Sequence, residues 1–498
     1  MKLNYKPQVT QLMISAVTIG SSMIMSAQAA EKSPNFLFIC IDDLRTEIGA
    51  YGCDYMKTPN LDRIASQGRL FTHQYVQVPT SGASRCCMLT GKYPTKSRDA
   101  NNEIFGKSLI GTKEGELPET FIHHLKRNGY YTVGMGKVSH HGNGSTRYKG
   151  NESRELPHSW DRFVNDPDWL WKGDDILHAY ADGEGGGGVH NPKPAFQTLD
   201  VPDESYPDGR LANLAMAELE LISEKNNEEP FFMAVGFYKP HLPFCAPLKY
   251  WEMYSDEDID LAPNKTIPEG VDNAFIYSSA EFRQQYSHPH QAGVGIVLPD
   301  EYARDLKHAY YAAISYTDTQ VGKVLNKLEE LGLDENTIIV VWGDHGWCLG
   351  DHTIWGKHNV FDRALNSTFM IKTPDMNKPG VASDQLIGTI DIYPTICDLA
   401  GITPPEGIDG VSITPIIENP KTKTRDEIYT YWQGKLSIKT KRYRLSVHNS
   451  RGKEAIMLFD HKNDPNETIN AAEKYPKVTE ELLSKLKAQN RGYLPDFK

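Results

Sequence analysis

Ser81 opens a run of small residues, Ser81-Gly82-Ala83-Ser84, and Arg85 follows four positions after it. If Ser81 starts a helix, Arg85 stands one turn on, on the same face. A hydroxyl and a guanidinium at a helix N-terminus make an anion site; the plainer alternative is a helix start with a surface arginine. Three carboxylates come from elsewhere in the chain: Asp42 and Asp43 follow one apolar run, and Asp344 follows another. Gathered together, such groups repel unless a cation sits among them. Their hard oxygens suit Ca²⁺ or Mg²⁺, although each could instead cap a neighbouring helix. Lys137, Lys239 and Lys357 sit in matching contexts, and with Arg85 they could surround an anionic group. Of the 17 histidines, His123, His124, His141 and His158 read as surface residues. His140, His241 and His358 stand beside the lysines, in Gly136-Lys137-Val138-Ser139-His140, Lys239-Pro240-His241 and Trp355-Gly356-Lys357-His358.

These residues need elements to hold them. Continuous apolar runs at 35–41, 130–135, 230–237 and 336–342 read as strands buried on both faces. Each ends in polar or charged residues. A further strand is expected over 71–76, leading to Ser81. Helices are expected over 58–68, 118–128, 212–225, 305–331 and 391–401, most of them closed by a glycine. Strands alternating with helices predict an α/β fold with a large, mainly parallel sheet flanked by helices. Such sheets place ligands at the carboxyl ends of their strands. That would bring Asp42, Asp43, Lys137, His140, Lys239, His241, Asp344 and His345 to one edge. After about residue 420 the texture changes to short alternating strands at 428–432, 436–439, 443–448 and 455–459, then a helix at 478–489. The expected organisation is a signal peptide over 1–30, a catalytic domain over 31–420, and a C-terminal subdomain over 421–498 built on a small antiparallel sheet and a helix. The stretches 141–230 and 251–299 read as irregular, with a mobile glycine run at 183–188.

The string Ser81-x-Ala83-Ser84-Arg85-x-x-x-Leu89-Thr90-Gly91 resembles the signature of type I, formylglycine-dependent sulfatases, in its serine-type form. The Lys137/His140, Lys239-His241, Asp344-His345-Gly346-Trp347 and Lys357-His358 segments are similar to the iduronate-2-sulfatase branch. The resemblance implies an alkaline-phosphatase-like fold and hydrolysis of sulfate esters on a sulfated carbohydrate, with a 2-O-sulfated uronic acid as the leading substrate. It implies that Ser81 is oxidised to formylglycine (3-oxoalanine) by a radical-SAM maturating enzyme. It implies one Ca²⁺ held by Asp42, Asp43, Asp344, His345 and residue 81, with His345 a ligand or behind the ligands. In this family scheme one hydroxyl of the hydrated aldehyde attacks sulfur, and the other later releases sulfate. Arg85, Lys137 and His140 belong to the catalytic group, His241 protonates the leaving alcohol, and Lys239, Lys357 and His358 contact substrate. Trp347 forms either pocket wall or core.

Composition limits the field. A net charge of −12 excludes a general binder of nucleic acid or other polyanions, so any positive charge must be local. Lys2 and Lys6, the apolar stretch 12–25 and Ser26-Ala27-Gln28-Ala29-Ala30 read as a cleaved signal, giving a periplasmic or secreted protein with no stable membrane anchor. Seven cysteines are too few and too odd in number for a disulfide framework; Cys40 and Cys397 read as core thiols, and Cys86 and Cys87 as packing residues. Two other readings stand beside the sulfatase: a phosphomonoester or phosphonate hydrolase of the same superfamily, and a non-catalytic binder of sulfated glycans. The pattern does not define an oligomeric state.

Overall fold

A computed structural model describes residues 33–105, 120–148, 151–166, 168–171, 173–186, 192–225, 229–450, 453–495 and 497. The expected signal peptide lies outside these residues, as do Gly187 and Gly188 of the glycine run. The central sheet has seven strands: β1 (Asn35–Ile41), β2 (Arg69–Leu70), β3 (Tyr131–Gly136), β4 (Arg162–Val164), β5 (Phe231–Phe237), β6 (Thr337–Gly343) and β7 (Phe369–Lys372). Their order across the sheet is β2-β7-β6-β1-β5-β3-β4. β1 lies parallel to both β5 and β6, and β3 continues the parallel set beyond β5. β7 and β2 finish one side antiparallel.

β1 shows why this part of the chain folds as it does. All seven of its residues are buried. Alternation sends Leu37, Ile39 and Ile41 to one face and Phe36, Phe38 and Cys40 to the other. The first face packs under helices α1 (Pro59–Gln67), α3 (Pro207–Glu224) and α5 (Asp300–Glu330). The second packs against α2 (Ser81–Thr90) and the helices Phe121–Arg127 and Ile392–Leu399. The sheet is therefore sandwiched between two helical layers.

Four strands and the C-terminal set form where the apolar patterns place them. Helix starts differ in an instructive way. α3 begins at Pro207 and α5 at Asp300, each five residues earlier than apolar periodicity suggests. Pro207 supplies a ready-made first turn, and Asp300 and Glu301 favour the helix N-terminus electrostatically. The single strand expected over 71–76 is instead two two-residue strands, Arg69–Leu70 and Gln74–Tyr75, split by a turn at Thr72-His73. The four-residue β7 has too short an apolar run to stand out.

The C-terminal sheet consists of β8 (Glu427–Trp432), β9 (Lys435–Thr440), β10 (Tyr443–Ser450) and β11 (Lys453–Asp460), in sequential antiparallel order. Ile438, Leu445, Val447 and Leu458 pack with Leu482 and Leu486 of α6 (Pro476–Gln489). Ser33–Lys498 forms one compact unit. All seven cysteines are thiols, and Cys40, Cys87 and Cys397 are buried as packing residues. Among the described residues, no helix is long and apolar enough to cross a membrane.

Candidate active site

Because β1, β3, β5 and β6 are parallel, their carboxyl ends share one edge. Asp42-Asp43, Lys137, Lys239 and Asp344 leave the sheet there. Asp43 adopts φ 58°, a left-handed conformation that aspartate tolerates better than most residues. The turn is held from both sides: Asp43 N–H donates to Asp344 Oδ1 at 3.0 Å, and Tyr310 donates its hydroxyl to the Asp43 carbonyl at 2.7 Å. Gly136 has φ 66°, and a Cβ there would collide with the Gly236 carbonyl, so the two strands close up just before Lys137.

Ser81 is the first residue of α2, after Thr80 in extended conformation. Its Oγ lies 3.3 Å from Asp42 Oδ1 and 3.0 Å from His345 Nε2. Arg85 stands one turn on and is fully buried, which excludes a surface role. Its Nε donates to Asp344 Oδ2 at 3.0 Å, its Nη2 to Asp42 Oδ1 at 3.2 Å, and its Nη1 to the Lys137 carbonyl. One guanidinium thus ties two carboxylates to the strand that carries Lys137. No lysine could span these contacts.

The acids converge. Candidate ligand atoms of Asp43, Asp344 and His345 lie within 4.8 Å of one another, as do those of Asp42, Asp43 and His241. Burial pushes the Asp43 carboxyl up to about 7, with Asp42 and Asp344 adding to the effect and Lys357 and His345 opposing it. Burial also favours protonation of Asp42, but Lys137 heads the cations that hold it well below the usual range. His345 Nδ1 faces the Gly346 carbonyl at 3.0 Å, so that nitrogen carries the proton and Nε2 presents a lone pair to the cluster. Burial lowers this imidazole to about 4 and keeps it neutral. Three carboxylates and one imidazole lone pair fit a hard divalent cation, with the imidazole the least typical donor.

The lysines and histidines divide. Lys137 Nζ meets Asp42 at 2.5 Å and Lys357 Nζ meets Asp43 at 2.9 Å. Both also line a cavity of about 350 Å³ with Ser81, His140, His241 and His358. His140 Nδ1 is buried with no hydrogen-bond partner among the described residues, while Glu155 anchors its backbone N–H at 2.9 Å. His241 Nδ1 faces the Leu242 carbonyl at 2.6 Å, and its Nε2 lies 3.2 Å from Glu281 Oε1. His358 stacks on Trp432 and meets Thr80 Oγ1 at 3.1 Å.

Two expected substrate contacts face elsewhere. The Lys239 ammonium is fully buried and donates to the carbonyls of His241 and Pro243 at 2.8 and 2.7 Å. These bonds turn it into a brace for the His241 loop, away from the cavity. Trp347 is also fully buried; it packs on Phe244 in the core, with Lys357 Nζ 5.2 Å above its ring. Sequence reasoning missed Glu281, Tyr277 and His178, which line the cavity from the stretches that no motif covers. A carboxylate on the short apolar-faced segment 280–285 was the one available signal for Glu281.

Residues 34–402 match the sulfatase family, and residues 350–492 match the C-terminal region of N-sulphoglucosamine sulphohydrolase. The chain belongs to the sulfatase family. Human (Homo sapiens) iduronate 2-sulfatase is 30% identical over 422 residues, covering 79% of this chain and 74% of the relative. In structure, a Bacteroides fragilis protein assigned as a sulfatase superposes with TM-score 0.71 at 23% identity, covering 95% of this chain and 98% of its own. Agrobacterium radiobacter phosphonate monoester hydrolase gives TM-score 0.71 at 22% identity, covering 92% and 96%. The two structural likenesses establish the shared alkaline-phosphatase-like fold. As a member of this family the protein is a sulfuric ester hydrolase, and sulfatases generally use a formylglycine and a metal ion.

Proposed function

We propose that this protein is a secreted, calcium-dependent sulfatase that removes the 2-O-sulfate of a uronic acid from a sulfated sugar, with Ser81 matured to formylglycine. The observation that carries the reading is the position of Ser81 Oγ between an acidic cluster and the basic groups that line its cavity, several of them paired to those acids. On one side are Asp42 and His345, at 3.3 and 3.0 Å, with Asp43 and Asp344 beside them. On the cavity side are Lys137, His140, His241 and Lys357. The likeness to iduronate 2-sulfatase supports the uronic acid and the 2-position. The serine in place of cysteine points to a radical-SAM maturating enzyme as partner, and the basic, apolar N-terminal sequence supports export.

When present, a formylglycine hydrate at position 81 would supply paired hydroxyls and a calcium ion the polarising charge for sulfuryl transfer. The residues that would hold the ion are Asp42, Asp43, Asp344 and His345. Lys137 and Lys357 face the negative charge carried by the sulfuryl oxygens. Arg85 keeps the carboxylates in place, so that positioning is complete before substrate arrives. His140 takes or returns a proton at residue 81. His241 delivers a proton from Nε2 to the departing alcohol oxygen.

Turnover of nitrophenyl sulfate and nitrophenyl phosphate, each with calcium or with zinc, tests the reading. Faster sulfate turnover dependent on calcium is expected. Faster phosphate turnover that requires zinc would instead make this a phosphomonoester or phosphonate hydrolase. Binding of sulfated glycan without sulfate release by matured protein would leave a binding protein.

A further inference from the structure

The outer wall of the cavity is formed by α4 (Ala280–Gln285), a helix that no sequence motif marks. Its cavity-facing side presents Glu281, Gln284 and Gln285, three positions that fall on one side of a helix. Glu281 is the one carboxylate among the described residues that line this space. Its Oε1 lies 3.2 Å from His241 Nε2 and its Oε2 lies 3.7 Å from Lys357 Nζ. Tyr277 fixes the helix start, its hydroxyl accepting from Glu281 N–H at 3.1 Å. Burial works to protonate Glu281, but Lys357 and His241 hold it well below the usual carboxylate range, so it acts as an acceptor.

We infer that Glu281 reads the hydroxyl on the carbon next to the sulfate ester, the 3-hydroxyl of a 2-O-sulfated uronate. The inference rests on the sulfatase reading above and assigns a specificity determinant within that site. The geometry follows from the leaving oxygen. To receive a proton, that oxygen must sit within hydrogen-bond reach of His241 Nε2. Vicinal oxygens on a sugar ring are themselves about one hydrogen-bond length apart. Glu281 Oε1 stands at the same separation from the same nitrogen. An ester oxygen on His241 leaves a vicinal hydroxyl within reach of the Glu281 carboxylate, and in a glycosidically linked uronate the C3 hydroxyl is the neighbour of O2 that carries a proton to donate. The carboxylate of the uronate is carried on C5, across the ring from C2, and does not meet Glu281. A second sulfate on O3 would meet it directly and be repelled.

The test compares kcat/KM on a 2-O-sulfated hexuronate and on its 3-deoxy analogue. A hydrogen bond to a charged acceptor predicts that the native protein prefers the hydroxylated sugar by about 10- to 100-fold. In Glu281→Ala the preference should collapse to about threefold or less, and in Glu281→Gln it should shrink without vanishing. The deoxy comparison on native protein needs no variant to fold. A native protein that treats the two sugars alike, or a preference that survives intact in Glu281→Ala, overturns the inference. Release of sulfate from nitrophenyl sulfate but from neither hexuronate overturns it while leaving the sulfatase reading standing. No release from any of the three overturns both.

Discussion

Replacing His241 with alanine should separate substrates by their leaving groups. The residue is 4% exposed and the two nitrogens of its ring have different neighbours. Nδ1 lies against the Leu242 carbonyl, which can only accept, so that nitrogen keeps its proton. Nε2 faces the cavity beside Glu281 and is the position that can exchange a proton with substrate. A sugar alcohol departs poorly as an anion and needs that proton; nitrophenolate does not. A positioned general acid contributes about 10²- to 10⁴-fold, or about 3–5.5 kcal/mol of barrier. His241→Ala should therefore lower kcat/KM on a sulfated sugar by about 10²- to 10⁴-fold and on nitrophenyl sulfate by less than about tenfold. Ion chromatography of released sulfate reads the first and nitrophenolate absorbance the second. The pH dependence carries the same signature. Burial, then Lys357, lowers His241 from its ordinary 6.5. Only the protonated form donates, so native activity on the sugar should fall as pH rises through this lowered value. The nitrophenyl profile should lack that descent. Equal losses on both substrates would refute the general-acid role.

Other perturbations have defined outcomes. Exhaustive chelation should abolish sulfate release and lower Tm, because Asp42, Asp43 and Asp344 are left facing one another, and Ca²⁺ should restore both; full activity after chelation would exclude the metal. Asp208 accepts from Tyr238 N–H and Lys239 N–H at 2.8 and 2.9 Å. Asp208→Asn has one side-chain oxygen for those two donors and should cost about 1–3 kcal/mol in denaturant unfolding at acid pH, where the contribution of Asp208 is full. Burial pushes the Asp208 carboxyl up to about 6, so its contribution is full below its unfolded value and declines as pH rises through about 6. The asparagine variant should lack that decline. Trp347→Ala should destabilise by about 3–5 kcal/mol, as for other buried large-to-small changes, and a change in KM with no loss of stability would return this residue to the pocket wall.

The fold was legible where burial is unambiguous. The runs at 35–41, 230–237 and 336–342 are apolar at nearly every position, as strands covered on both faces must be, and their ends name the site. Less legible was the direction of a side chain once its strand ends. Lys137 and Lys239 look alike in sequence, yet one reaches the carboxylates and the other is captured by two carbonyls of its own loop. Trp347 follows the site in sequence but turns under it, where Phe244 and Lys357 pack on its ring. Glu281 meets His241 only because a helix from an unmatched stretch closes over the strand edge, and no local spacing encodes that contact. The strand Phe369–Lys372, second from the sheet edge, is short, and its two pairing partners come from elsewhere in the chain.

The mass of the tryptic peptide 70–85 from active protein tests the proposed chemistry at its origin. This peptide contains Ser81 and ends at Arg85. Conversion to formylglycine predicts a peptide two hydrogens lighter than the encoded one and captured by an aldehyde-reactive probe. Active protein whose peptide carries the encoded mass and does not react would contradict the assignment of Ser81 as the precursor of the catalytic aldehyde.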